Sequence, residues 1–294
     1  MSSGGRRDDW LSERQTEGVE LSFRVRRWLV RKTTAYQRLE LAETEDLGRV
    51  MALDGKIMLS ERDEAFYHEM LVHPALLAHP SPRWVLVVGG GDGGTMREVL
   101  RHPTVEEVWL VEIDGEVIAA AKEHLPSVHR GSFSDPRARV HIAPGEEFVA
   151  AHPGEFDAVI VDSTDPVGPG EALFTEDFFR SAKEALAPGG VFAMQAGTPF
   201  YWAEELSGIL GKLRRFFAHV RVYLGFVPVY PSGMWAYVLA SERDLVAEEE
   251  NFSDRFHKRG LETVYFTPAV GRAAFVLPKF VEEIVARALK AQPA

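Results

Sequence analysis

The chain has 294 residues, 46% of them hydrophobic and none of them cysteine. That is enough for one large α/β unit plus a smaller one around packed cores, with no disulfide or thiolate metal site. The formal net charge of −11 (33 Lys and Arg against 44 Asp and Glu) disfavours nucleic acid and anionic membranes as partners and suits cationic ones. No apolar run reaches 18 residues, and the first ten residues lack the apolar stretch of a secretory signal, so a cytoplasmic protein is expected.

The first sixty residues read as β-structure. Val19, Leu21, Phe23 and Val25 alternate with Glu20, Ser22, Arg24 and Arg26, the period of a half-buried strand. A second alternation places Gln37 on the same face as Leu39 and Leu41. Two short apolar runs, 50–53 and 56–59, flank Asp54-Gly55, a signal for a type I′ hairpin. A small antiparallel sheet over residues 1–60 is the expectation, with residues 61–294 as a second domain. Ser60 then opens a helix with Asp63 as an approximate capping box and Phe66, Met70 and Leu71 as its apolar stripe.

From about Arg83 strand and helix patterns alternate. Strands are expected at 84–88, 107–113, 139–143, 157–162, 190–195, 219–227 and 234–240. A helix from Thr175 to Leu186 is stopped by Pro188-Gly189-Gly190. Residues 241–251 read as an exposed acidic helix or loop. The alternation predicts an α/β fold with a mostly parallel, doubly wound sheet, whose ligands bind beyond the carboxyl ends of the strands.

The chemistry gathers at those ends. The strand Val85–Val88 runs into Gly89-Gly90-Gly91-Asp92-Gly93-Gly94, and the next strand ends in Glu112 about 20 residues on, where an acid takes a ribose hydroxyl pair. Asp92 inside the glycine loop would repel a pyrophosphate, so the loop suits a cationic nucleoside such as a sulfonium. Asp162 and Asp165 follow the apolar run 158–161 and precede the Pro/Gly segment 166–170. They read as a cation-binding pair under a hinged loop, or equally as a turn cap and a solvated acid. Taken singly, Tyr67, His68 and the Tyr230–Trp235 turn read as core. Gln195 stands at another strand end.

Taken together, LDGKIMLSERDEAFYHEMLVHPAL (53–76), VLVVGGGDGGTMREVLRHPTVEEVWLVEID (85–114), VDSTDPVGPGEALFTEDFF (161–179), VPVYPSGMW (227–235) and AAFVLPKFV (273–281) resemble the spermidine synthase family, the polyamine aminopropyltransferases. The glycine loop alone is shared with methyltransferases. The resemblance implies a small N-terminal β domain before a methyltransferase-like Rossmann domain, and a homodimer or homotetramer. It also implies transfer of aminopropyl from decarboxylated S-adenosylmethionine to a diamine, typically putrescine, with no metal or other cofactor. By that resemblance Gln37 and Glu112 hold the ribose side. Gly89 and Gly91 belong to the nucleoside loop, and Pro144, Gly145 and Pro169 surround the adenine. His68, Asp92 and Asp165 hold amine ends, Tyr67 and Tyr230 line the channel, and Asp162, which accepts the proton, and Tyr67 are the catalytic residues. Two positions depart from the pattern: Met58 stands where many members have Gln, and Pro144 where most have an Asp that accepts from the adenine amino group. The departures leave open another acceptor (agmatine, cadaverine or a triamine) or a non-catalytic, ligand-binding relative.

Overall fold

The structure, a computed structural model, describes residues 9–166 and 168–290; the expectations for residues 1–8 and for Val167 lie outside the described residues. Five antiparallel strands come first, paired in chain order: β1 (Trp10–Thr16), β2 (Val19–Thr33), β3 (Arg38–Thr44), β4 (Arg49–Leu53) and β5 (Lys56–Ser60). Asp54 and Gly55 adopt φ of 49° and 77°, left-handed at both positions, which is the hairpin their sequence predicts. The strand β1 was not expected. Its buried face is Leu11, Glu13 and Gln15, so two polar residues mask the alternation.

The helix expected from Ser60 begins later, as α1 (Glu64–Ala78). Ser60 ends β5, and its hydroxyl donates to Asp63 Oδ1 at 2.5 Å. Asp63 makes no cap bond to the helix; its Oδ2 accepts from the Val229 amide at 3.0 Å. The acid that resembles a capping box instead ties the helix start to the Tyr230 turn. The expected stripe also differs, because every residue of α1 except Phe66 is buried. A helix enclosed on all sides has no amphipathic period to read.

The second sheet has seven strands: β6 (Trp84–Gly89), β7 (Glu107–Glu112), β8 (Ala138–Ile142), β9 (Phe156–Asp162), β10 (Leu186–Gln195), β11 (His219–Phe226) and β12 (Met234–Ser241). Their order is β8-β7-β6-β9-β10-β12-β11. The first five are parallel, and β12 runs antiparallel to both β10 and β11. Helices α2 (Gly94–Leu100), α3 (Gly115–His124), α4 (Pro126–His129), α5 (Gly145–Ala150), α6 (Glu176–Ala185) and α7 (Ala203–Leu213) connect the strands. Then α8 (Leu245–Glu249), α9 (Phe252–Lys258), α10 (Pro268–Ala273) and α11 (Lys279–Lys290) complete the chain. This is the mostly parallel α/β sheet expected from the sequence.

Two further boundaries differ. The helix expected from Thr175 to Leu186 is α6; Thr175 is its cap, accepting from the Phe178 amide at 3.2 Å, and Leu186 already belongs to β10. Pro188-Gly189-Gly190 is an irregularity inside that strand, between its pairings at Leu186 and Val191. In the acidic segment 241–251, Leu245 and Glu248 are buried, and Glu248 is paired with Arg243 and Arg255.

Strand order reverses between β6 and β9: the chain leaves β6 towards β7 and β8 on one side, and continues from β9 to β10 on the other. Ligand crevices in open α/β sheets form at such a reversal. Gly89, at the end of β6, lies in register with Asp162, at the end of β9.

Candidate active site

The backbone brings Gly89 and Asp162 into closer contact than any side chain tolerates. Gly89 has φ of +83°, and a Cβ there would sit 2.1 Å from the Asp162 carbonyl oxygen. The Gly90 amide donates to that oxygen at 2.8 Å. This crossing fixes the backbone beneath the Asp162 carboxylate, whose two oxygens are then held separately. Oδ1 accepts from the Tyr67 hydroxyl at 2.7 Å, and Oδ2 from Thr95 Oγ1 at 2.7 Å. Burial, together with the nearby charge of Asp92, raises the Asp162 pKa above the usual carboxylate range. A fixed carboxyl with a raised pKa suits proton acceptance.

Asp92 ends a buried chain of charges. Arg97 grips Glu64 with two hydrogen bonds of 2.9 Å, and Glu64 Oε2 meets His68 Nδ1 at 2.7 Å. His68 Nε2 lies 3.3 Å from Asp92 Oδ1, which also accepts from the Gly94 amide at 2.7 Å. Burial alone would lower the His68 pKa, but Asp92 and Glu64 outweigh it and hold it at about 10. Burial alone would raise the Asp92 pKa, but His68 and the Gly94 amide keep it low. Gly94 is required here, since a Cβ would stand 2.3 Å from the imidazole. Both nitrogens of His68 therefore face carboxylates.

These groups border a cavity of about 850 Å³, counting its open mouth, between the two sheets. Of the residues singled out in the sequence, Gln37, Tyr67, His68, Gly89, Gly91, Asp92, Glu112, Gly145, Asp162, Pro169 and Tyr230 line it together. Pro144 does not line it; it is the residue preceding α5, with its neighbours Gly145 and Glu146 facing the cavity. Glu112 lines the cavity, and its Oε1 accepts from the Asp114 amide at 2.9 Å. Burial pushes its pKa up to about 7. Gln37 is steered from the first sheet by Asp114, to which its Nε2 donates at 3.1 Å.

Asp165 lines a second chamber of about 330 Å³ that shares Met58, Tyr67, Ser163, Thr164 and Tyr230 with the first. Tyr230 donates to the Met58 carbonyl at 2.5 Å, so the chamber wall crosses from the turn before β12 to β5. Gln195 Nε2 donates to the carbonyls of Ser163 and Thr164 at 3.2 and 3.3 Å, holding the start of the Pro/Gly segment. Three charged lining residues do not stand out in the sequence: Glu13, Lys56 and Glu146. Glu13 belongs to the unrecognised strand β1, Lys56 reads as a polar residue after a hairpin turn, and Glu146 reads as an ordinary acid of a first helical turn.

His68, Asp92 and Asp162 place one ligand atom each within 4.8 Å of one another, a spacing a metal ion can use. The donor set fits poorly. An imidazole held protonated between two carboxylates has no lone pair to offer.

The family model of the spermine/spermidine synthase domain matches residues 64–250, and that of the spermidine synthase tetramerisation domain matches residues 9–61. The chain belongs to the spermine/spermidine synthase family. Polyamine aminopropyltransferases of Shouchella clausii and Bacillus subtilis are 42% and 40% identical to it, each alignment covering 94% of this chain and 98% of the relative. A spermidine synthase solved with the transition-state analogue AdoDATO superposes with a TM-score of 0.91 at 41% identity, over 98% of both chains. The spermidine synthase of Thermotoga maritima gives 0.88 at 39% identity, over 97% of both. The expected α/β class and the expected enzyme class, a polyamine aminopropyltransferase, agree with this membership. Among the described residues no helix is long and apolar enough to cross a membrane.

Proposed function

We propose that the chain transfers an aminopropyl group from decarboxylated S-adenosylmethionine to putrescine, giving spermidine and methylthioadenosine. The observation that carries this reading is the joining of an Asp162-centred cavity to a second acidic chamber, in a chain whose relatives are named polyamine aminopropyltransferases. The donor occupies the larger cavity. Its ribose hydroxyls meet Glu112 and Gln37, and its adenine lies by Gly145, Glu146 and Pro169, with the glycine loop of Gly89 and Gly91 beneath. Its propyl ammonium meets Asp92, which His68, Glu64 and Arg97 hold in place and anionic. The acceptor occupies the second chamber, its far ammonium at Asp165 and Glu13.

The near nitrogen of the acceptor, once neutral, attacks the methylene carbon bonded to sulfur. The nitrogen–carbon bond forms as the carbon–sulfur bond breaks, and sulfur keeps the electron pair. Asp162, which Tyr67 and Thr95 aim at that point, takes the proton whose removal makes that nitrogen neutral, and the product leaves as a secondary ammonium. The sulfonium is already an activated leaving group, so the residues contribute alignment, which supplies several kcal/mol. Acid-lined walls repel the carboxylate of ordinary S-adenosylmethionine, which disfavours a methyltransferase. Pro144 was the one feature favouring a ligand-binding relative, and Glu146 beside it offers the carboxylate that Pro144 lacks.

We also infer that the chain self-associates as a dimer or tetramer through residues 9–61, which match the family's tetramerisation domain. The activity is tested by incubating purified protein with decarboxylated S-adenosylmethionine and a panel of putrescine, cadaverine, agmatine and spermidine. Mass spectrometry should find aminopropylated putrescine and an equal amount of methylthioadenosine. A preference for a different amine overturns the choice of putrescine, and no transfer to any amine overturns the reaction.

A further inference from the structure

We infer that Lys56 sets the length of amine accepted, by holding a cation of its own at the far end of the acceptor chamber. This rests on the proposed function and adds the feature that separates diamines from longer polyamines. The chamber shares Tyr67 with the larger cavity, which puts the reacting nitrogen at that side, while Glu13, Asp165 and Lys56 border the chamber alone and form its far end. Glu13 is only 2% exposed. Its Oε2 accepts from the Ile57 amide at 2.9 Å, so that oxygen is spoken for by the backbone of β5. Its Oε1 stands 3.5 Å from Lys56 Nζ. The ammonium is anchored there a second time by the Arg14 carbonyl at 3.3 Å, and it lies 5.7 Å from the centre of the Trp202 ring.

The far end therefore holds two carboxylates and one fixed ammonium, a formal charge of one negative. A diamine brings one positive charge to that end and balances it. A triamine brings a second ammonium further out, where it meets Lys56 instead of a free carboxylate. Like charges in a partly desolvated site repel strongly, and repulsion of the wrong partner is an effective route to selectivity. The competing account is that Lys56 only neutralises the buried Glu13. It predicts the same ion pair and no effect on the choice between amines.

The test compares kcat/KM for putrescine and spermidine in the wild type, Lys56→Met and Lys56→Arg, at saturating donor. Met keeps the length of the side chain and removes the charge. Lys56→Met should raise the spermidine-to-putrescine ratio by about tenfold, and Lys56→Arg should stay near the wild-type ratio. Lys56 does not border the larger cavity, so methylthioadenosine affinity should match the wild type and so report correct folding. A ratio in Lys56→Met within about twofold of wild type overturns the inference. If the wild type transfers aminopropyl to no amine, the proposed function fails by itself. Calorimetric binding of the same two amines to the methylthioadenosine complex then decides the role of Lys56, with the same shift in ratio supporting it and no shift refuting it.

Discussion

A carboxylate accepts hydrogen bonds from two ribose hydroxyls only when it is ionised, and burial holds Glu112 at about 7. Below that pH the empty site carries the proton, which nucleoside binding must expel; above it the site is already ionised. Methylthioadenosine affinity should therefore rise with pH through about 7 and level off beyond it. In Glu112→Gln the affinity should be weaker and flat across the same range. A flat calorimetric profile in the wild type removes Glu112 from the ribose contact. The adenine end makes a separate test. If Glu146 supplies the acceptor that Pro144 lacks, Glu146→Gln should weaken methylthioadenosine up to about tenfold, since a bond to a charged acceptor is worth roughly 1.5–3 kcal/mol before losses. It should also narrow the preference over the inosine analogue; an unchanged preference assigns the amino group to backbone. Asp92, Glu112 and Asp162 were legible because each follows an apolar strand. Glu13 was not, because it lies inside a strand whose buried face is partly polar. The sequence places His68 near the amine, but the two carboxylates that bracket it are not legible there.

Among the elements, the Pro/Gly segment reads as a loop for lack of any period, and its later part forms a short 3-10 stretch at Gly168–Phe174. Its start hangs on the Gln195 side chain, and Pro169 and Gly170 form part of the cavity wall. A segment anchored by side-chain bonds at one end and facing a ligand at the other should tighten when the ligand arrives. Hydrogen exchange of amides in 163–175 should slow with saturating methylthioadenosine, and unchanged exchange would count against closure over the site. Element boundaries were less legible than element types. Pro188-Gly189-Gly190 reads as a helix stop by composition, yet β10 passes through it, because pairing with β9 resumes at Val191 and β12 covers the other edge. Such tertiary support is invisible in a local window.

At the scale of the molecule, the alternation of strand and helix announces the class of the second sheet, and the Asp-Gly hairpin that of the first. The sequence alone does not show how the first sheet closes over the second. Gln37, Met58 and Glu13 reach the chambers only through that closure. Everything then converges on one carboxylate: β6 and β9 fix the backbone of Asp162, α1 supplies Tyr67, and α2 supplies Thr95. We propose that this convergence serves proton acceptance in aminopropyl transfer. It is tested most directly by single-turnover transfer to putrescine in Asp162→Asn, with methylthioadenosine affinity measured on the same protein. The expected result is a loss of at least ~10²-fold in rate, the scale for a positioned proton acceptor, with affinity preserved. A variant that binds methylthioadenosine normally and still transfers at close to the wild-type rate contradicts it.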